Sequence, residues 1–333
     1  MLDLREYFQE LTDVGELHVI NEEVDTDLNM GAIAAEANLV GAEAVHFTKP
    51  RGFPKGVTAA ANLYSGVGFH FPRSTKGWTR IATGLGLDPQ IDYEPMIFSL
   101  MERYEHPIMP MGVESGPCKE VILKGNDINL FAFPFPWLHK EDVGRYGYGI
   151  LVTKDPDSDW QNWGVYRFLV KDKDEIVADF LTEPAYSSDT KTIYNRYVGE
   201  RRRMPFAFVL GVTPAMMLAA AWKAPEGVAE VSIAGGLELD PISLTKAETS
   251  DLMVPAQAEL VIEGEIVPGD MVEEGPYGSI KGYARPAMRP RMKVTAITHR
   301  KDPIIPMIVD GTRVNDTQTI IALTEAARLT QAM

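Results

Sequence analysis

The stretch Trp160-Gln-Asn-Trp-Gly-Val-Tyr-Arg167 sets an amide, a small residue and a guanidinium on what reads as one barrel strand. It follows a largely apolar run, Tyr148-Gly-Ile-Leu-Val-Thr-Lys-Asp155, and the turn Asp155-Pro-Asp-Ser-Asp159, so the two runs predict an antiparallel hairpin. Asn162 and Arg167 share its second strand, five residues apart and therefore of opposite parity. Period-2 geometry sends them to opposite faces. For both to serve one site, the strand needs a bulge or must begin near Asn162.

Outward from the hairpin, about Glu120 to Arg300 is a series of short β-patterned runs separated by Gly, Pro and Asp. The runs 148–154, 160–171, 175–181, 205–212, 257–267 and 292–300 read as a barrel or split barrel. One helix interrupts them: Thr213 suits an N-cap, Pro214 suits the first helical position, and Met216-Met-Leu-Ala-Ala-Ala-Trp222 continues to Pro225. A strand running into a capped helix suits an anion or phosphate at that N-terminus.

The residues before the barrel have an α/β rhythm. Leu2, Leu4, Phe8 and Leu11 keep helical spacing, Glu16–Ile20 and Ala44–Thr48 read as strands, and Asp27 is placed to cap a helix through Val40, closed by Gly41. Two further helices fall near 75–84 and 92–105, before Pro107, Pro110 and Gly112 break the chain. An N-terminal α/β domain is therefore expected over 1–115 and the barrel domain over 116–302. Pro303-Ile-Ile-Pro-Met-Ile-Val309 reads as the first strand of another α/β unit, with a helix capped by Asp316 or Thr317 running through Ala332, so 303–333 is expected to be an incomplete C-terminal α/β domain.

Composition narrows the function classes. The 333 residues are 45% hydrophobic and 24% charged, ordinary for a soluble globular protein. Lys and Arg number 32 against 47 acidic residues, and a net charge of −15 disfavours nucleic acid and anionic lipid as partners. Arg201-Arg-Arg203 is the local exception and reads as a solvated helix end. The lone Cys118 excludes an internal disulfide framework and a zinc-type cluster and points to a reducing compartment. With no signal-like N-terminus and no apolar run of membrane length, a cytoplasmic protein is expected. The phosphate-loop, dinucleotide, nucleophile-elbow and HExxH signatures are absent.

Four polar groups occupy segments patterned for burial: Asn162 and Arg167 in the hairpin, Glu230 in Gly227–Gly236, and Glu274 in Glu273-Glu-Gly-Pro-Tyr-Gly-Ser-Ile-Lys-Gly-Tyr283. An uncompensated buried charge costs on the order of 3–5 kcal/mol, so Arg167 demands a carboxylate. Glu274 or Glu230 can supply it, and spacing leaves a structural salt bridge and a catalytic pair equally open. Asn162 and Glu230 are oxygen ligands of the kind hard divalent ions accept, although two such residues read first as hydrogen-bonded polar groups. The histidines at 18, 46, 70, 106, 139 and 299 show no ligand spacing.

The segments Asn162–Arg167, Pro205-Phe-Ala-Phe-Val-Leu-Gly-Val-Thr-Pro214, Pro225-Glu-Gly-Val-Ala-Glu230, Thr249-Ser-Asp-Leu-Met-Val-Pro255, Glu259-Leu-Val-Ile-Glu-Gly264 and Glu274-Gly-Pro-Tyr-Gly278 occur in this order. Together they resemble the UbiD family of prenylated-FMN-dependent decarboxylases, from Asp3-Leu-Arg-Glu-Tyr-Phe to the last residue. The resemblance implies an N-terminal α/β domain, a central split β-barrel of flavin-reductase type and a C-terminal α/β domain. It implies prenylated FMN held through its phosphate by a divalent ion, usually manganese, with potassium alongside. Asn162 and Glu230 match two of the metal ligands by position, while Trp163, Ala219, Ala220 and Trp222 fall where the family lines the potassium and phosphate pocket. Gly164, Val165, Tyr166 and Arg167 complete the expected cofactor contacts. Arg167 and Glu274 match the arginine and first glutamate of the family's Glu-Arg-Glu network.

Two departures accompany the match. Ser279 stands at the catalytic position of the family's second acid, where a serine cannot serve as a carboxyl does at neutral pH. Residues 183–204 hold no histidine, leaving Asp189, Asn195, water or nothing at the position of the third metal ligand. The proton donor is then Glu274, Lys281 or water, or else a phenolic group of the substrate itself changes the mechanism. The implied activity is reversible, non-oxidative decarboxylation of an aromatic or α,β-unsaturated acid, with a flavin prenyltransferase as cofactor supplier and a homo-oligomer or partner subunit as the assembly. Because family members are longer, a non-catalytic or accessory subunit of a carboxylase complex is the alternative.

Overall fold

The computed structural model describes residues 3–65, 76–181, 189–280, 282–311 and 314–331. His70, Lys281 and the expected helix end at Ala332 lie outside them.

The N-terminal layer begins with α1 (Leu4–Asp13), which Asp3 and Glu6 close in a reciprocal capping box and which buries Leu4, Tyr7, Phe8 and Leu11. It continues through β1 (Leu17–Val24), α2 (Asn29–Val40), β2 (Ala44–Pro50), β3 (Thr58–Ala61), α3 (Thr79–Gly84) and α4 (Tyr93–Glu105). Gly41 ends α2 in the left-handed region at φ 68°, as its sequence position predicts. Asp27 does not cap that helix. Leu28 takes the N-cap position without a side-chain hydrogen bond, and the Asp27 carboxylate pairs with Arg145 at 2.5 Å instead.

The chain then enters β4 (Met111–Gly112), β5 (Val121–Lys124), β6 (Tyr146–Lys154), β7 (Gln161–Asp172), β8 (Glu175–Ala178), α5 (Asp189–Glu200), β9 (Met204–Leu210), α6 (Pro214–Ala221) and α7 (Glu230–Glu238). β10 (Ser243–Lys246), β11 (Met253–Pro255), β12 (Leu260–Glu274), β13 (Tyr277–Ser279), β14 (Gly282–Ala284), β15 (Ala287–His299), β16 (Ile304–Met307) and α8 (Asp316–Gln331) complete it. A seven-stranded sheet runs β12-β9-β6-β7-β8-β15-β5 and closes through β12–β15, leaving β5 outside the ring. The expected barrel is thus present.

Alternation along its strands separates two cores. Leu151, Phe168, Phe206, Phe208, Ile262 and Ile297 fill the barrel, while Ile150, Val152, Trp163 and Val209 turn outward onto α6, α7 and the N-terminal layer. β16 pairs in parallel with β3 and finishes the four-stranded sheet β1-β2-β3-β16. The segment that reads as the opening of a third unit therefore lays its strand in the N-terminal sheet, and α8 packs on α4 and α6.

Two ion pairs, one half-exposed at its arginine and one fully buried, lock these layers together. Glu259 accepts from Arg5 Nε at 2.9 Å and Nη2 at 3.0 Å, and from the Ile304 amide at 3.0 Å, joining α1, β12 and β16. Arg80 and Glu16, each 1% exposed, meet at 3.0 Å, with the Asn62 carbonyl accepting a further Arg80 bond at 2.7 Å.

Candidate active site

β7 pairs with β6 in unbroken register from Gln161↔Lys154 to Leu169↔Tyr146, while β8 joins its other edge from Phe168 onward. There is no bulge, and Asn162 is the second residue of the strand. Along Asn162–Arg167 no described strand covers that second edge. A cavity of about 310 Å³ lies there, lined by Asn162, Trp163, Gly164, Val165 and Tyr166 in succession. An open strand edge exposes main chain as well as side chains, which is how residues of both parities share one cavity. Ala220, Ala221 and Trp222 at the end of α6, Glu230 of α7, Asp189 of α5, Tyr148 of β6, Asp179 and the α8 face from Thr317 to Glu325 form much of the remaining wall. Ala219 is buried inside α6, outside that wall.

The expected anion site at the start of α6 is not where the cavity forms. Thr213 is fully buried and its hydroxyl donates to Glu238, so the cavity meets the opposite end of the helix. It meets instead the beginning of α7, where Glu230 is the first helical residue.

Glu230 is 2% exposed and accepts the Trp163 amide at 2.8 Å, and no described basic side chain lies within ion-pair distance of it. Burial pushes its carboxyl up to about 8, partly offset by the Trp163 N–H. Asp189 in the same cavity is also pushed up, first by burial and then by Glu226. Asn162 turns its amide nitrogen to Thr190 Oγ1 at 3.0 Å, which presents the amide oxygen for coordination. Trp163 Nε1 is buried without a hydrogen-bond partner among the described residues. The described residues contain no group of three His, Cys, Asp or Glu side chains poised to hold a metal. A cation at Glu230 would therefore take a mixed set of carboxylate and amide oxygens, and the uncompensated buried carboxyl fits one.

Arg167 finds its carboxylate in Glu274 rather than Glu230: Nε and Nη2 each lie 3.3 Å from a Glu274 oxygen. Tyr146 donates to Glu274 Oε1 at 3.0 Å, and the guanidinium stacks 4.5 Å from the centre of the Tyr277 ring. Asp179 stands 3.7 Å from Arg167 and is itself paired with Arg289 at 2.5 Å. Across the β6–β7 register Arg167 faces Tyr148, which lines the cavity. Ser279 is not brought to this cavity; it lines a second one with His139, Gly278, Tyr283 and Gly311. Lys281, the other proton-donor candidate, lies outside the described residues.

Sequence reasoning missed Tyr148, Tyr146, Tyr277, Asp310 and the α8 face. The first was findable, because the hairpin register alone sets Tyr148 opposite Arg167.

Residues 111–313 match the family described as the 3-octaprenyl-4-hydroxybenzoate carboxy-lyase Rift-related domain, and 9–99 match its N-terminal domain. The chain is 33% identical to ferulic acid decarboxylase 1 of Saccharomyces cerevisiae over 98% of its own length and 66% of the relative's. It is 32% identical to pyrrole-2-carboxylic acid decarboxylase of Pseudomonas aeruginosa over the same shares. The chain thus spans a little under two thirds of the length of these curated relatives. Among solved structures, an evolved dimeric form of the UbiD-class enzyme HmfF from Pelotomaculum thermopropionicum, in complex with prFMN, superposes at TM-score 0.86 with 30% identity, covering 99% of this chain and 72% of that one. The closed form of vanillic acid decarboxylase from Sedimentibacter hydroxybenzoicus superposes at 0.90 with 27% identity, covering 99% and 70%. With a family match across most of the barrel, a second across the N-terminal layer, and the whole described fold shared with UbiD-class enzymes, this chain belongs to the UbiD family.

Proposed function

We propose that the chain catalyses reversible, non-oxidative decarboxylation of an aromatic or α,β-unsaturated acid with prenylated FMN in the cavity beside β7. The observation that carries this reading is one cavity joining an uncompensated buried Glu230, an open strand edge and, immediately behind it, the Arg167–Glu274 pair. The relatives are named for decarboxylation of ferulic and pyrrole-2-carboxylic acids, and one superposed structure holds prFMN, which supports the same chemistry here.

Asn162, Glu230 and Asp189 would hold a divalent ion such as manganese, and the main chain around Trp163, Ala219, Ala220 and Trp222 would serve potassium and the phosphate. Prenylated FMN, when bound, makes the carbon bearing the carboxylate able to release CO2. The chain's own residues position and protonate. Arg167, fixed by Glu274 and by the Tyr277 ring, supplies the positive charge that orients the substrate carboxylate. The apolar faces of Val165, Ile320 and Ile321 exclude water from the reacting carbon. A flavin prenyltransferase supplies the cofactor, and the assembly is an oligomer of this chain or of this chain with a partner subunit.

The test is purification from cells that also supply flavin prenyltransferase and manganese, followed by intact cofactor mass and CO2 release from a panel of aromatic acids. A prenylated flavin at about one per chain with CO2 release is expected. A chain that stays empty would support the accessory-subunit reading instead.

A further inference from the structure

Decarboxylation leaves an electron pair on carbon that a proton must take up, and the carboxyls around the cavity differ in their capacity to give one. Both oxygens of Glu274 accept from Arg167, both of Asp179 from Arg289, and Glu325 from Arg328. Glu230 and Asp189 stand together at the Asn162 end, with the oxygens proposed to hold a cation. Asp310 differs from all of these. It is 3% exposed, and its carboxyl meets the Tyr148 hydroxyl at 3.0 Å, the Tyr277 hydroxyl at 3.3 Å and the Asn315 amide at 3.3 Å, all uncharged. Tyr148 lines the cavity and its hydroxyl is bonded to Asp310, so this side chain stands between the carboxyl and the reacting space.

Resting on the decarboxylase reading, we propose that Asp310 is the cavity's proton store and that Tyr148 passes its proton inward. As the bond between carbon and carboxylate breaks and CO2 leaves, the Tyr148 O–H proton goes to the carbon and the Asp310 proton moves to the Tyr148 oxygen. Water then reprotonates Asp310, so each turnover consumes one solvent proton. Asp310 is a positioning residue acting through Tyr148.

Charge balance supports a neutral Asp310. Arg167 and Arg289 already face Glu274 and Asp179, so an ionised Asp310 adds an excess buried negative charge. Burial raises its carboxyl, with the hydroxyls and Arg167 opposing. The titratable and charged groups that face it are Tyr148 from β6, Arg167 from β7, Tyr277 from β13 and His139, whose Nε2 bonds the Asp310 carbonyl at 2.8 Å. Ser279 and His139 open on the second cavity and give the carboxyl no route of their own to the first.

The experiment compares the wild type with Asp310→Asn, Asp310→Glu and Tyr148→Phe. Asn keeps the shape and an accepting oxygen but holds no acidic proton. In the infrared spectrum of the cofactor-free chain, a protonated-carboxyl band that persists above the usual carboxylate range should vanish in Asp310→Asn and shift in Tyr148→Phe. In cofactor-loaded protein, Asp310→Asn should lower kcat by about 10²-fold, the usual worth of a placed proton donor, with KM within about twofold. The alkaline fall of the kcat profile should disappear, and Asp310→Glu should restore part of the rate. An Asp310→Asn variant with the wild-type infrared band, or with wild-type kcat and pH profile, would overturn the assignment while leaving the decarboxylase reading intact. A loaded wild type that releases no CO2 yet keeps the band would refute the decarboxylase reading, and the catalytic part of this assignment with it.

Discussion

Arg167 is bound on three sides, by Glu274, by the Tyr277 ring and by Asp179, so its guanidinium is held in one orientation behind the cavity-lining Tyr148 and Asp179. Arg167→Ala should reduce turnover by about 10²-fold or more through loss of that fixed charge, with cofactor content unchanged. Glu230 presents the opposite case, a buried carboxyl without a basic partner among the described residues. Glu230→Gln should fold normally and lose the rise in melting temperature that added manganese gives the wild type; equal rises in both proteins would remove Glu230 from the cation site. Arg167, Glu274, Asn162 and Glu230 were legible because charged or amide residues stood in segments patterned for burial. Tyr148 was legible only through the hairpin register that sets it opposite Arg167, and Asp310 was not, since an aspartate after an apolar strand looks ordinary until the fold brings it to Tyr148.

At the scale of elements, the cavity depends on β7 having an uncovered edge and on α7 approaching closely enough to place Glu230 on it. A Cβ added at Gly235 would stand 2.4 Å from the Ile108 carbonyl, and one at Gly236 2.5 Å from the Arg103 carbonyl. Backbone atoms cannot yield as a flexible side chain does. Gly236→Ala should therefore cost about 1–3 kcal/mol, measured by urea unfolding, and lower cofactor occupancy by shifting Glu230. A variant of wild-type stability and occupancy would show that α7 has room to spare. The hairpin, α6 and the barrel were readable from alternation and turn residues, which are local signals, although Thr213 stands at the N-cap without a capping bond and donates to Glu238 instead. That β16 joins β3 rather than starting a sheet of its own was not, because strand partners distant in sequence leave no mark in either strand.

Across the whole molecule, buried acids without full compensation make stability depend on pH. Glu238, half-buried at the C-terminal end of α7, is pushed by desolvation from 4.5 up to about 7, with the Thr213 hydroxyl opposing. The folded chain holds a proton there that the unfolded chain releases. This contribution is complete below about pH 4.5 and is lost as pH rises through about 7. Glu238→Gln should match the wild type near pH 5 and exceed it by about 2–3 kcal/mol near pH 8 in urea unfolding. A constant difference between the two pH values would contradict this. At the same scale, Glu259 joins α1, β12 and β16, so Glu259→Ala should cost about 1–3 kcal/mol by leaving the buried Ile304 amide without its acceptor and removing the Arg5 pair. The described residues contain no helix long and apolar enough to cross a membrane. The most direct measurement is CO2 release from aromatic acids by cofactor-loaded wild type and Arg167→Ala, with cofactor content determined on the same samples. Release by the wild type and none by an equally loaded variant is expected; release at equal rates, or none from a fully loaded wild type, would contradict the role given to the cavity beside β7.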